Sequence, residues 1–221
     1  MADMQLDHLL AKHLGWPLFC TPLLRFALKW TGWWALFHDL KPGLYEGGNW
    51  SEWFPSISVQ VDGLDELPSG GGYSLVSDHP LGVLDGWALG IALKDRLDRV
   101  AFFAHPILAE FPSLAPQVVP MKPGMSMVKP EARASLRKGA EHMARGGILV
   151  RFNSYSKSQP SQLTVHSVRA EIIPIWAGNK ASRKAGTWWT WLWMPRKLRH
   201  LQGIRVRFGA GLPGVEGVDQ A

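Results

Sequence analysis

Cysteine is almost absent from this chain: Cys20 is the single one in 221 residues. That excludes an internal disulfide and any cysteine metal cluster, and it fits a reducing compartment. Several catalytic signatures are missing as well. No G-x-x-x-x-G-K-[ST] occurs, so no P-loop is expected. Ser74 sits in Gly72-Tyr-Ser-Leu-Val76 and not in a G-x-S-x-G elbow, which leaves a hydrolase of that type unsupported. There is no H-E-x-x-H and no histidine pair at ligand spacing, so no metal is expected. No apolar run reaches the roughly 18 residues of a membrane span. The best stretch, residues 14–40, is interrupted by Pro17, Pro22, Arg25, Lys29 and Asp39. The opening MADMQLDHLL lacks the basic start of a signal peptide. Asn49-Trp-Ser51 is therefore a glycosylation sequon in form only, and a cytoplasmic setting is the expectation.

What is abundant is tryptophan and positive charge. Twelve Trp stand against three Tyr, and the net charge is +6. Trp favours the membrane–water interface, where its apolar body and its N–H donor are both satisfied. A basic balance suits an acidic partner: anionic lipid, nucleic acid or an acidic carrier. Together the two features favour a membrane surface over a duplex groove, and no nucleic-acid module is recognisable.

Residues 1–48 read as a helical segment at the membrane interface, and 49–221 as one α/β domain. Thr21-Pro22 has the form of an N-cap followed by a first-turn proline. Phe26, Trp30, Trp33, Trp34 and Phe37 then recur at helical spacing, with Arg25 and Lys29 off that face. Such a face packs either on the protein's own core or among lipids. The segment TWWTWLWMPRKLRH, residues 187–200, offers the same choice. Trp188 and Trp189 begin a Trp-rich stretch that precedes Arg196, Lys197, Arg199 and His200. Between these, strands are predicted at 57–61, 73–77, 100–104, 118–121, 148–152, 170–176 and 204–208, and helices at 86–97 and 130–145. Strands alternating with helices predict an α/β fold, a mixed or parallel sheet flanked by helices.

The chemistry concentrates in SLVSDHPLGVLDGW, residues 74–87. A neutral histidine at a strand end can accept a proton from a hydroxyl, and a carboxylate on its other ring nitrogen can fix its tautomer. His79 and Asp85 could meet in that way. Asp78 is a poorer partner, because neighbours in extended chain point oppositely. The competing reading makes Asp85 an ordinary N-cap for the following helix, and both roles can coexist on one carboxylate. Lys122, Lys129 and Arg133 are candidates to meet a phosphate, or else a solvated helix face.

The block Asp78-His-Pro-Leu-Gly-Val-Leu-Asp-Gly86 resembles the first block of the glycerolipid acyltransferases of the 1-acylglycerol-3-phosphate acyltransferase superfamily. It is closest to a bacterial branch often labelled hemolysin, whose block reads like Asn-His-Pro-Leu-Gly-Gly-Leu-Asp-Gly. The spacing here is His-x5-Asp, where the superfamily usually has His-x4-Asp. Val61-Asp-Gly-Leu-Asp-Glu-Leu-Pro68, Gly146-Gly-Ile-Leu-Val-Arg-Phe152, Glu171-Ile-Ile-Pro-Ile-Trp176 and Ile204-Arg-Val-Arg-Phe-Gly209 are similar to later segments in the same order. The likeness covers about residues 56–213, and its specific part is the first block. It implies transfer of an acyl chain from acyl-CoA or acyl-ACP to a hydroxyl or amine of a lysophospholipid-like or other amphiphilic acceptor. His79 would be the base, Asp85 its orienter, and the Gly82 turn the region of the oxyanion donors. No tightly bound cofactor is implied; the partners would be the membrane surface and the thioester donor, with an acyl carrier protein among the candidates. The alternatives are an inactive membrane-binding relative and a basic nucleic-acid binder. One departure bears on the acceptor. The family's third block has a proline, a glycine and usually a glutamate between its Phe and Ser. Here Phe152-Asn-Ser-Tyr-Ser-Lys-Ser158 keeps only the two ends, so Phe152, Lys157 and Ser158 become the acceptor-binding candidates and a glycerol phosphate acceptor is open to question.

Overall fold

The computed structural model describes residues 12, 26, 29, 30, 52–78, 81–122, 129–152, 167–177, 198 and 200–209. Within them the strands are β1 (Ser58–Asp62), β2 (Tyr73–Ser77), β3 (Val100–Ala104), β4 (Val118–Pro120), β5 (Ile148–Phe152), β6 (Ser167–Trp176) and β7 (Leu201–Phe208). Helix α1 covers Val83–Ala92 and α2 covers Pro130–Ala144. The strands form one seven-stranded sheet in the order β1-β7-β6-β2-β5-β3-β4. Every pair is parallel except β6 with β7, so the sheet is mixed and the fold is α/β with flanking helices, as the alternating pattern predicts.

The two helices lie on opposite faces, and strand geometry says why. In β5 all five side chains are buried, the continuous burial of a strand covered on both sides. Leu149 and Phe152 are three positions apart and so point to opposite faces. Leu149 meets α2 beside Gly139; Phe152 meets α1 beside Gly86. The buried residues of α2 are Ala132, Ser135 and Gly139, a stripe at helical spacing made of small side chains, which lets the helix approach the sheet closely. A Cβ added at Gly139 would lie 2.8 Å from Phe103 Cζ and 2.9 Å from Leu149 Cδ2. Both neighbours are fully buried, so neither can move aside cheaply. Gly139→Val is therefore expected to destabilise the fold by about 1–3 kcal/mol through overpacking, read as a lower urea midpoint with an unchanged slope.

Helix α1 is buried on almost every side, including Leu84, Asp85, Trp87, Ala88 and Leu89. Trp87 meets Phe54 edge-on, ring centroids 5.0 Å apart, which fixes the helix against the segment before β1.

The structure shifts some predicted boundaries. The helix expected at 86–97 begins three residues earlier, at Val83, and its last part is a 3-10 helix, Lys94–Arg99. Gly82, at φ 68° and ψ −121°, makes the early start possible, because that turn conformation suits a residue without Cβ. Asp85 is consequently inside the first helical turn and is not the residue that caps it; that position belongs to Gly82. β6 and β7 each begin three residues before their predicted starts, at Ser167 and Leu201, because hydrogen-bonded pairing with neighbours carries extended chain past the apolar run. The N-terminal proline cap at Thr21-Pro22 lies outside the described residues. Among those described, no helix is long and apolar enough to cross a membrane.

Candidate active site

Parallel strands bring their carboxyl ends to one edge of a sheet, and α/β sites form there. Here β2 ends in Ser77 and leads into Asp78; β3 ends in Ala104 before His105; β4 ends in Pro120 before Met121 and Lys122; β5 ends in Phe152. The His-x5-Asp block is thus the connection from the carboxyl end of β2 to the first turn of α1. His79 and Pro80 lie outside the described residues.

Asp85 is fully buried. Its Oδ2 accepts the Leu81 N–H at 2.9 Å, and its own N–H donates to Gly82 O at 3.0 Å. One carboxylate oxygen therefore holds the loop shut across the residues just after His79. The other, Oδ1, is buried as well. The carboxylate also stands in the first turn of α1, at the positive end of the helix dipole. Asp78 turns the other way. Its Oδ2 is 3.5 Å from a guanidinium nitrogen of Arg169 on β6, a partly buried ion pair. The structure thus separates the two carboxylates of the block: Asp78 pairs with the neighbouring strand and Asp85 braces the loop.

Beside the block lies a cavity of about 170 Å³. Gly82, Gly86 and Phe152 form its wall nearest the loop; Trp53, Phe102 and Leu108 form more of it. Its lining is overwhelmingly apolar, with His105 and Gln117 as polar exceptions apart from the Trp indoles. The composition can shelter an alkyl chain. Phe152, a candidate for the acceptor, faces this apolar space and α1.

The basic candidates gather at the same sheet edge. Lys122 follows β4, Lys129 precedes α2, and Arg133 is in its first turn; all three are exposed. The Ser135 hydroxyl donates to Pro120 O and so ties α2 to the end of β4. Three cations near a helix N-terminus make this edge electropositive. Lys157 and Ser158 lie outside the described residues, as do Trp33, Trp34, Trp188 and Trp189. Trp30 is helical and 54% exposed, and Phe26, one turn before it, is 67% exposed. Lys12 forms an ion pair with Glu110, in the 3-10 turn that follows β3. Among the described residues no cluster of His, Cys, Asp or Glu is arranged to hold a metal.

Sequence reasoning missed three features here. The loop-bracing bond of Asp85 needed the true start of α1. The cavity lining comes from segments far apart in sequence, and its one local signal is His105-Pro106, a His-Pro pair just after a strand as in the first block. The third is Arg151, 3% exposed, whose Nε donates to the Ser74 hydroxyl on β2. Burial lowers its pKa to about 10, so it remains charged at neutral pH.

No family model matches this chain, and no solved structure matches it. Over 69 residues it is 41% identical to a lyso-glycine lipid O-acyltransferase of Bacteroides thetaiotaomicron and 38% identical to one of Phocaeicola vulgatus. The matched stretch is 31% of this chain and 25% of each of those proteins, so the chain spans about a quarter of the length of the curated relatives it matches.

Proposed function

We propose that this protein is an acyltransferase that moves a fatty acyl group from an acyl thioester to a hydroxyl of a lipid acceptor at a membrane surface. The observation that carries this reading is the buried Asp85, which braces the loop bearing His79 at the carboxyl edge of the sheet, beside an apolar cavity. The partial likeness to lyso-glycine lipid O-acyltransferases supports it and makes a lysolipid hydroxyl the first acceptor to test. An acceptor amine or a glycerol phosphate lysolipid comes second.

In this mechanism the acceptor oxygen attacks the thioester carbonyl carbon while His79 takes its proton. The tetrahedral intermediate collapses, the C–S bond breaks, and the leaving thiolate receives the proton from the imidazolium. Asp85 orients the base. The Leu81 N–H is already committed to Asp85, so the oxyanion draws on other donors of the Gly82 turn and on the helix dipole. The cavity holds the acyl chain. The electropositive edge of Lys122, Lys129 and Arg133 receives the phosphates of acyl-CoA or the acidic surface and phosphopantetheine of acyl-ACP. No metal or bound cofactor enters the reaction.

The deciding experiment incubates the purified chain with acyl-CoA or acyl-ACP and lysolipids, and follows thiol release and acylated product by mass spectrometry. Thiol release coupled to a new acylated lipid is expected; no product with any donor and acceptor pair would sink the reading. Peripheral membrane association has its own test. Phe26 and Trp30 are exposed aromatics on one helical turn, so replacing both with Asp is expected to weaken co-sedimentation with anionic vesicles by about tenfold or more, given the apolar area each side chain loses. Unchanged sedimentation would remove these two residues from the membrane contact.

A further inference from the structure

β2 ends at Ser77, and the residue that joins it to His79 is held from two directions. The Ser77 hydroxyl donates to Asp78 O at 3.0 Å. The Asp78 carboxylate lies 3.5 Å from a guanidinium nitrogen of Arg169. Arg169 is itself set by the sheet: it stands opposite Val76 in the parallel β2–β6 ladder, and its carbonyl accepts the Gly209 N–H at 3.2 Å. Val76 is also opposite Arg151, so Arg151, Arg169 and Asp78 share one face of the sheet, the face on which Leu149 meets α2. The described residues that bound His79 and Pro80 are therefore each held, Asp78 by Arg169 and Leu81 by Asp85. The pair with Arg169 does little for global stability. The Asp78 side chain is 38% exposed, and ion pairs open to water contribute weakly. β2 is already paired with β5 and β6 as far as Ser77. What the pair governs is local. A carboxylate one residue from a histidine favours the imidazolium, the form that cannot accept a proton, and a guanidinium at 3.5 Å offsets that charge.

We infer that Arg169 is a positioning residue for His79: it holds Asp78, the residue before the base, against β6, and it offsets a carboxylate charge that would otherwise favour the protonated imidazole. The inference rests on the proposed acyltransferase reading for the role of His79. Arg169 touches neither substrate in this role; it acts through Asp78. The other charged groups around this place stay constant when the pair is altered. Among the described residues they are Arg151 on β5, Glu171 on β6 in its 3.6 Å pair with Arg207 on β7, and Asp85 in α1. His105 follows β3, two strands from β2, and Lys122, Lys129 and Arg133 are near the end of β4, three strands away.

Removing the two members of the pair is expected to act on the base in opposite directions. Arg169→Met leaves the Asp78 charge without this guanidinium, favours the imidazolium, and moves the acid limb of kcat/KM to higher pH by about half a unit or more. Asp78→Asn leaves the guanidinium without its carboxylate and moves the limb to lower pH by a similar amount. The double variant returns it close to the parent's position. At the plateau each single variant is expected to lose about three- to tenfold in kcat through misplacement of the base, with KM for either substrate within about twofold. The double variant loses no more than the worse single one, because both remove the same contact. Arg169→Lys keeps the charge, so it is expected to hold the limb in place and to recover part of kcat. An acid limb that stays put in both single variants, or kcat losses that multiply in the double one, overturns the inference. A readout without turnover separates it from the acyltransferase reading. The His79 ring signal is identified among the eight histidines as the one lost in His79→Ala, and is titrated by NMR in each variant. Opposite displacements that cancel in the double variant support the hold of Arg169 on His79 even if no acyl transfer is found; an unmoved titration refutes it. If Arg169→Met fails to fold, Asp78→Asn and Arg169→Lys carry the same comparison.

Discussion

Replacing His79 with Ala is expected to reduce acyl transfer by about 10²–10⁴-fold, the range for loss of a positioned general base, while the melting temperature stays close to that of the parent chain. The expectation of an intact fold rests on what surrounds the block. β2 is held by parallel pairing on both sides, to β5 and to β6. α1 is anchored by Leu84, Trp87, Ala88 and Leu89 in the core. The loop between them is closed by the Leu81–Asp85 hydrogen bond, which does not involve the imidazole of residue 79. Thiol release from the thioester measures the loss, and a circular dichroism melt checks the fold. Full transfer by His79→Ala would remove the base from the mechanism and with it the main support for the block's catalytic role. A loss of transfer accompanied by unfolding would instead make residue 79 a structural element of the turn.

Much of the sheet was readable from the sequence because its central strands are covered on both faces. β2, β3 and β5 match the predicted 73–77, 100–104 and 148–152 residue for residue. Each is a short run of mostly apolar residues bounded by turn-forming residues, and burial on two sides makes such runs unambiguous. The start of α1 was harder. Its capping position is Gly82 at a positive φ, and the apolar periodicity that marks a helix starts only beyond it. The error had a functional consequence, since it made Asp85 look like a cap outside the helix when it is a buried side chain inside it. The starts of β6 and β7 were missed for a different reason: their extra residues, among them Ser167, Arg169, Gln202 and Gly203, are extended by pairing and not by any pattern of their own. Strand alternation makes Asp78 the poorer partner for His79 in the sequence, and His79 itself lies outside the described residues. Asp78 reaches Arg169 on β6, away from the carboxylate that braces the loop. The cavity was not legible, because its wall is assembled from the segment before β1, α1, β3, the turns after it and the end of β5. Only closure of the sheet brings those segments together.

Two replacements of Asp85 are expected to split its structural role from its chemical one. Asp85→Ala removes the acceptor of the Leu81 N–H, and Leu81 is 3% exposed, so water cannot readily replace the lost oxygen. An unsatisfied buried donor costs about 1–3 kcal/mol, and loss of a negative charge from the first helical turn adds about 0.3–1 kcal/mol. Asp85→Ala is therefore expected to lower the urea midpoint clearly and to reduce transfer by at least as much as His79→Ala, because the loop bearing the base loses its brace. Asp85→Asn keeps a side-chain oxygen at the same reach and can still accept from Leu81, so most of the stability should remain. What Asn lacks is the negative charge that stabilises an imidazolium, and its amide can also present a donor where the base needs an acceptor. Transfer by Asp85→Asn is expected to fall by about 10²–10⁴-fold with little change in unfolding free energy. The pair of variants separates the possibilities. If Asn is as active as the parent while Ala is unstable, Asp85 is a loop brace and His79 takes its orientation from elsewhere. If Ala is as stable as the parent, the Leu81 bond contributes nothing and the carboxylate is buried for chemistry alone. Low activity in both with low stability only in Ala is the outcome the geometry favours: one oxygen holds the loop, and the charge of the same carboxylate serves the base.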